Sequence, residues 1–107
     1  MPQQTITIIN KFGIHVRVAQ KLVEALRPFT AQVTLTKNGK GVDARSILEV
    51  LTLYAPEGTK LEVESQGADA DQALAAAAEI LTAPAEKIIG ATRVREKARG
   101  KAKGNGH

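Results

Sequence analysis

The hydrophobic period changes at Gly13, and no other feature of the sequence constrains the fold as much. Before it, Thr5 to Ile9 ("TITII") alternates for four residues and then turns apolar, β-branched throughout, which is a strand pattern. After it, Val16, Ala19, Leu22, Val23 and Leu26 recur at spacings of three and four, one face of a helix that Pro28 stops. The chain then returns to period two in "AQVTLT" (31–36), with Val33 and Leu35 set against polar neighbours. Asn38-Gly39 follows, a hairpin signal because both central residues of a type I′ turn take positive φ, and Val42 to Ala44 forms a short return strand.

Ser46 precedes "ILEVLTLY" with Glu49 three residues on. That is a capping box, and it favours a helix over a strand for this short apolar segment. "PEG" (56–58) is a turn, and "KLEVESQG" (60–67) alternates Leu61 and Val63 with charges as a strand does. Asp69 is expected to cap an Ala-rich helix whose apolar face carries Leu74, Ala77, Ile80 and Leu81, and which ends before Pro84. The order is βαββαβα. One hairpin among strands and helices implies an α+β fold: an antiparallel or mixed sheet with helices on one face.

Composition sets the outer bounds. A chain of 107 residues supports one core, and with 3% aromatics and no tryptophan that core is aliphatic. The absence of cysteine excludes disulfides and cysteine-rich metal sites. No apolar run approaches the ~20 residues of a membrane span, and "MPQQTITIIN" lacks the plan of a signal peptide, so a soluble cytoplasmic protein without membrane insertion is expected. The formal charge of +4 would suggest nucleic acid, but residues 91–107 hold six Lys/Arg against Glu96 alone. The remainder is nearly neutral, which makes a nucleic-acid function an unfavoured reading. The expected organisation is a domain over 1–90 and a basic, disordered tail over 91–107.

His15 lies at the seam between loop and helix, and the only other histidine is the last residue. A helix start presents N–H groups without intrahelical partners and the positive end of the dipole, so an anion is welcome there. That pole also favours a neutral imidazole, which keeps a lone pair for nucleophilic attack. Arg17 is placed to turn its guanidinium toward an anion on the ring. A lone histidine at a helix start is ordinarily only a surface or capping residue. No second histidine, acidic triplet or phosphate-binding loop completes a kinase, metal site or triad, so a working His15 requires a partner enzyme.

The segment "GIHVRVA" resembles the Gly-Leu/Ile-His-Ala-Arg-Pro-Ala signature of HPr, the histidine phosphocarrier of the bacterial phosphotransferase system. "NGK" (38–40), "RSILEVL" (45–51) and "EGTKLEVESQGADADQAL" (57–74) resemble later family segments, and the similarity spans about residues 2–83. The resemblance implies an open-faced β-sandwich, a four-stranded antiparallel sheet with three helices on one face. It also implies a carrier rather than an enzyme, which takes a phosphoryl group from phosphorylated Enzyme I and passes it to EIIA domains, as a monomer with no cofactor and no metal. The family's acceptor, through Nδ1, falls on His15, its phosphate-binding arginine on Arg17 and its regulatory serine on Ser46, the target of a dedicated serine kinase in some bacteria. Val16 stands where alanine is usual and Val18 where proline is usual, departures that bear on transfer rate and partner choice. Val16, Ile47, Leu48 and Leu51 are candidates for a docking patch, although at spacings of 47, 48 and 51 some of them belong to the core. The alternative function is a signalling module controlled through Ser46, with little transfer through His15.

Overall fold

The computed structural model describes residues 2–84. The elements are β1 (Gln3–Thr7), α1 (Val16–Leu26), β2 (Gln32–Lys37), β3 (Lys40–Asp43), α2 (Ile47–Leu51), β4 (Lys60–Gln66) and α3 (Ala70–Leu81). The strands form one antiparallel sheet in the order β1-β4-β2-β3, with Ile6 opposite Leu61, Val63 opposite Leu35, and Leu35 opposite Val42. Those residues point to the inner face, where they are buried against Ala19, Leu22 and Leu26 of α1, Val50 of α2 and Ala73, Ala77 and Leu81 of α3. The hydrophobic core cluster is aliphatic, Ser65 and Asn10 are the buried polar residues among the described ones, and Phe29 only packs against the core margin. Each fully buried Leu or Ile contributes about 1.5–3 kcal/mol. Thr, Gln, Glu and Lys populate the outer face, so three helices cover one side of an open sheet. The basic tail assigned to 91–107, like the domain boundary at residue 90, lies outside the described residues.

The hairpin is the one expected. Asn38 and Gly39 take φ of 51° and 84°, the two positive values of a type I′ turn. Several boundaries and faces differ from the sequence expectation. β1 starts earlier, because Gln3 and Gln4 pair with the far end of the long strand β4, while Ile8 and Ile9 leave the ladder. The Ile8 N–H still donates to Thr59 O at 2.9 Å. In α1, Val18 rather than Val16 enters the core. The stripe expected on α3 is rotated toward its alanines, with Ala70, Ala73, Ala77, Ala78 and Leu81 buried and Leu74 and Ile80 only packed against the core edge. Helix α2 ends at Leu51, short of the expected "ILEVLTLY", with Thr52 as its C-cap, and the chain turns left-handed at Tyr54, φ 50°.

Two capping expectations are also revised. Asp69 occupies the N-cap position of α3 but makes no side-chain cap. Its carboxylate instead accepts the Thr30 and Ala31 N–H groups, both at 2.8 Å, and the Thr30 hydroxyl at 3.3 Å. The capping box of α2 is half formed. Ser46 Oγ accepts the Glu49 N–H at 3.3 Å, but Glu49 Oε1 accepts from the N–H of Asp43 rather than of Ser46, at 3.1 Å. The Ser46 N–H is satisfied by Asp43 O at 3.1 Å.

Candidate functional site

The site is built on the turn that joins β1 to α1. Asn10 O accepts the Gly13 N–H at 2.8 Å, and Asn10 Oδ1 accepts the Phe12 N–H at 2.9 Å, so one buried asparagine closes the turn twice. Gly13 is needed on two counts. Its φ is 70°, and a Cβ there would stand 2.5 Å from Ala55 O and 2.8 Å from Pro56 Cα. The chain is then pinned to the segment after α2, where Ala55 O accepts the Ile14 N–H at 2.8 Å.

His15 follows as the N-cap of α1, in extended conformation, with its carbonyl accepting the Ala19 N–H at 3.0 Å. Its Nδ1 accepts the backbone N–H of Arg17 at 3.3 Å. An imidazole nitrogen that accepts has a lone pair, so the network assigns the ring proton to Nε2. The long distance marks a weak bond. The ring is half-buried, whereas Arg17 and Val16 are exposed. Phe12, 57% exposed, stands edge to face with His15 at 6.3 Å between ring centroids, with Lys11 Nζ 5.4 Å from the Phe12 centroid.

Helix α2 packs against α1 and supplies the second half of the site. The docking candidates divide here. Leu48 is 78% exposed, while Ile47 and Leu51 are half-buried and packed against the core. Ser46, half-buried, begins the helix. At the other end Lys37 Nζ donates to Leu53 O at 3.0 Å and Tyr54 O at 2.6 Å, and stands 5.4 Å from the Tyr54 ring centroid. Tyr54 itself is 76% exposed. Phe12, Tyr54 and Lys37 were not singled out from sequence. The available signal for the first was that one of only two phenylalanines lies three residues before the histidine. Among the described residues no group of three His, Asp or Glu side chains is placed to hold a metal, and no helix is long and apolar enough to cross a membrane.

An N-capping histidine with Nδ1 turned to the helix start, on a βαββαβα fold, is a specific arrangement, and the model for the "PTS HPr component phosphorylation site" matches residues 2–83. The chain belongs to the HPr family. Its relatives are phosphocarrier proteins. That of Neisseria meningitidis serogroup A is 37% identical over 81 residues, covering 76% of this chain and 91% of that protein. That of Pseudomonas aeruginosa is 40% identical over 82 residues, covering 76% and 91%. The crystal structure of HPr from Thermoanaerobacter tengcongensis superposes with a TM-score of 0.72 at 31% identity, covering 76% of this chain and 91% of that one. Where the HPr signature usually has proline, Val18 is buried at 3% exposure and works as a core residue. Val16, in place of the usual alanine, instead projects into solvent beside the ring, 54% exposed.

Proposed function

We propose that this chain accepts a phosphoryl group on Nδ1 of His15 from phosphorylated Enzyme I and passes it to EIIA domains. The observation that carries this reading is the Nδ1 lone pair held toward the N-terminus of α1 by the Arg17 N–H. In the transfer step that lone pair forms the N–P bond while the bond from phosphorus to the donor breaks, its electron pair returning to the donor. The proton on Nε2 stays in place. The N–H of Arg17, released by Nδ1, and that of Val16 then face phosphoryl oxygens, since neither has an acceptor within the helix. The Arg17 guanidinium adds a charge-assisted contact. The chain supplies a carrier atom and an anion cradle, and catalysis of each transfer belongs to the partner.

Val16 and Leu48 offer the partner an exposed apolar surface, with Ile47 and Leu51 supporting it from beneath. The working protein is a monomer of the cytoplasm, with its functional domain ending near residue 90. Incubation with Enzyme I, Mg2+ and phosphoenolpyruvate should add one acid-labile, alkali-stable phosphate, and His15→Ala should take none. Equal labelling of the variant overturns the assignment.

A second reading rests on Ser46, whose hydroxyl caps α2 one residue from the exposed docking helix. The solution structure of the Bacillus subtilis catabolite repression HPr, Crh, superposes at a TM-score of 0.58 with 33% identity, covering 76% of this chain and 96% of that one. On that reading a serine kinase phosphorylates Ser46 and the modified chain binds a regulator, with little traffic through His15. The labelling experiment separates the two, because a chain used only through Ser46 accepts no phosphate from Enzyme I.

A further inference from the structure

We infer that Phe12 is a positioning residue for phosphoryl transfer, holding the His15 ring with Nδ1 toward the helix start. Among the described residues a hydrogen bond and a ring pair orient that ring, and the hydrogen bond is weak. The Nδ1 bond to the Arg17 N–H is 3.3 Å long, near the limit for such a bond. The other is the edge contact with Phe12, at 6.3 Å between centroids and 70° between planes, inside the range favoured by aromatic pairs.

Phe12 is itself fixed from behind. Its N–H donates to Oδ1 of Asn10, which is 3% exposed, and the turn closes again from Gly13 to Asn10 O. The turn is tied in addition to Ala55, whose carbonyl accepts the Ile14 N–H at 2.8 Å. The phenyl ring therefore stands on a rigid turn, although 57% of it meets solvent. An aromatic so exposed adds little to folding, because most of its apolar area stays wet. What it does provide is a wall that restricts rotation of the imidazole about its own bonds. Without that wall the selection of ring orientation leans on the long Nδ1 bond, and attack requires Nδ1, not Nε2, to lie at the anion cradle. A reacting atom held in the attacking geometry lowers the entropic part of the barrier.

The rate effect rests on the phosphocarrier reading, whereas the hold on the ring does not, and the experiment separates them. The first measurement uses 15N spectra of the His15 ring at a pH where it is neutral, on the full chain without any phosphoryl donor. Parent and Phe12→Tyr should show the Nε2–H tautomer dominant, and Phe12→Ala a larger share of the Nδ1–H tautomer, since its Nδ1 no longer faces the Arg17 N–H. The second measures transfer from phosphorylated Enzyme I. Phe12→Ala should lower the rate at saturating donor about three- to tenfold, with the half-saturating concentration little changed and Phe12→Tyr close to parent. Unchanged ring nitrogens in Phe12→Ala overturn the inference, and so does a defect confined to half-saturation, which would make Phe12 a contact for the partner only. If the parent takes no phosphate at all, the functional reading fails, and the spectra alone decide whether Phe12 holds the ring.

Discussion

Helices α1 and α3 both start at a polar N-cap, and the two side chains behave in opposite ways. His15 turns to its own helix and makes one long bond to the Arg17 N–H. Asp69 leaves its own helix uncapped and instead binds a loop 38 and 39 residues away in sequence, taking the N–H groups of Thr30 and Ala31 and the Thr30 hydroxyl. Arg45 grips the same loop from another side, donating to Phe29 O and to Ala31 O. Gly67, where a Cβ would meet Ala31 Cα at 3.0 Å, completes a closed junction. The His15 end has the reverse character, with Phe12, Val16, Leu48 and Tyr54 left exposed. At one end the fold engages the Asp69 carboxylate and the Arg45 guanidinium, and the other end has a weakly held lone pair and an exposed apolar rim.

The largest expected effect comes from the one rigid element of the open end. Gly13→Ala puts a methyl into the Ala55 carbonyl and a side chain at φ 70°. A left-handed alanine costs about 1–2 kcal/mol, and the steric clash about 1–3 more. Denaturant titration should show a loss of that combined size, together with slower transfer, because the turn carrying His15 has to move. Parent-like stability would mean that the close approach of this turn to Ala55 is not needed.

Arg17→Ala should separate chemistry from folding at the same end. Its side chain is exposed, where a polar contact contributes only about 0–1 kcal/mol, so the melting temperature should stay near the parent value. Transfer to His15 should slow by about one to two decades if the guanidinium contact forms mainly in the transition state. An unchanged rate removes Arg17 from the mechanism and leaves the backbone N–H groups as the whole cradle.

The closed end should answer to acid instead. The Thr30 N–H holds the Asp69 carboxyl below its ordinary range, helped by the Ala31 N–H and the Thr30 hydroxyl and opposed by partial burial. A carboxyl with its pKa depressed on folding stabilises the protein fully above its unfolded value of about 3.9, and that contribution fades as pH falls through the lower folded value. Asp69→Asn keeps one acceptor, so it should melt several degrees lower at neutral pH and lose less stability than the parent between pH 5 and pH 2. Identical acid limbs for the two proteins would mean that the carboxylate charge does not matter to this junction.

The contrast between the ends also explains what was legible in the sequence. Element order followed from the switches between period two and period 3.6, because burying one face of every strand and helix leaves that mark on each segment. Gly13 and His15 stood out for the same reason, lying at a switch. The Asp69 clasp did not, since local spacing carries no trace of a bond that joins residues 39 apart, and an aspartate before a helix reads as an ordinary cap. Val16 and Val18 both fit the edge of the stripe made by Ala19, Leu22 and Leu26, one three residues before Ala19 and the other four before Leu22, so spacing does not choose between them. Phe12 and Tyr54 escaped notice because a single exposed aromatic breaks no pattern.

Ser46 sharpens the comparison most finely, since it is a third N-cap, with a bond as long as that of His15. Its Oγ accepts the Glu49 N–H at 3.3 Å, and Glu49 is turned away to the Asp43 N–H, so the cap stands without its reciprocal half. Ser46→Ala should therefore cost about 1 kcal/mol and leave transfer to His15 at the parent rate. Ser46→Asp should hold or slightly raise stability, because a negative charge suits the positive end of a helix. The same charge would sit one residue from Ile47 and two from Leu48, on the surface a donor protein has to cover, and should slow phosphorylation of His15. One variant lowers stability without slowing transfer and the other slows transfer without lowering stability, which a general disturbance of α2 would not do. If Ser46→Asp is phosphorylated by Enzyme I as fast as the parent, this third cap is structural like the closed end, and the docking surface does not extend to the start of α2.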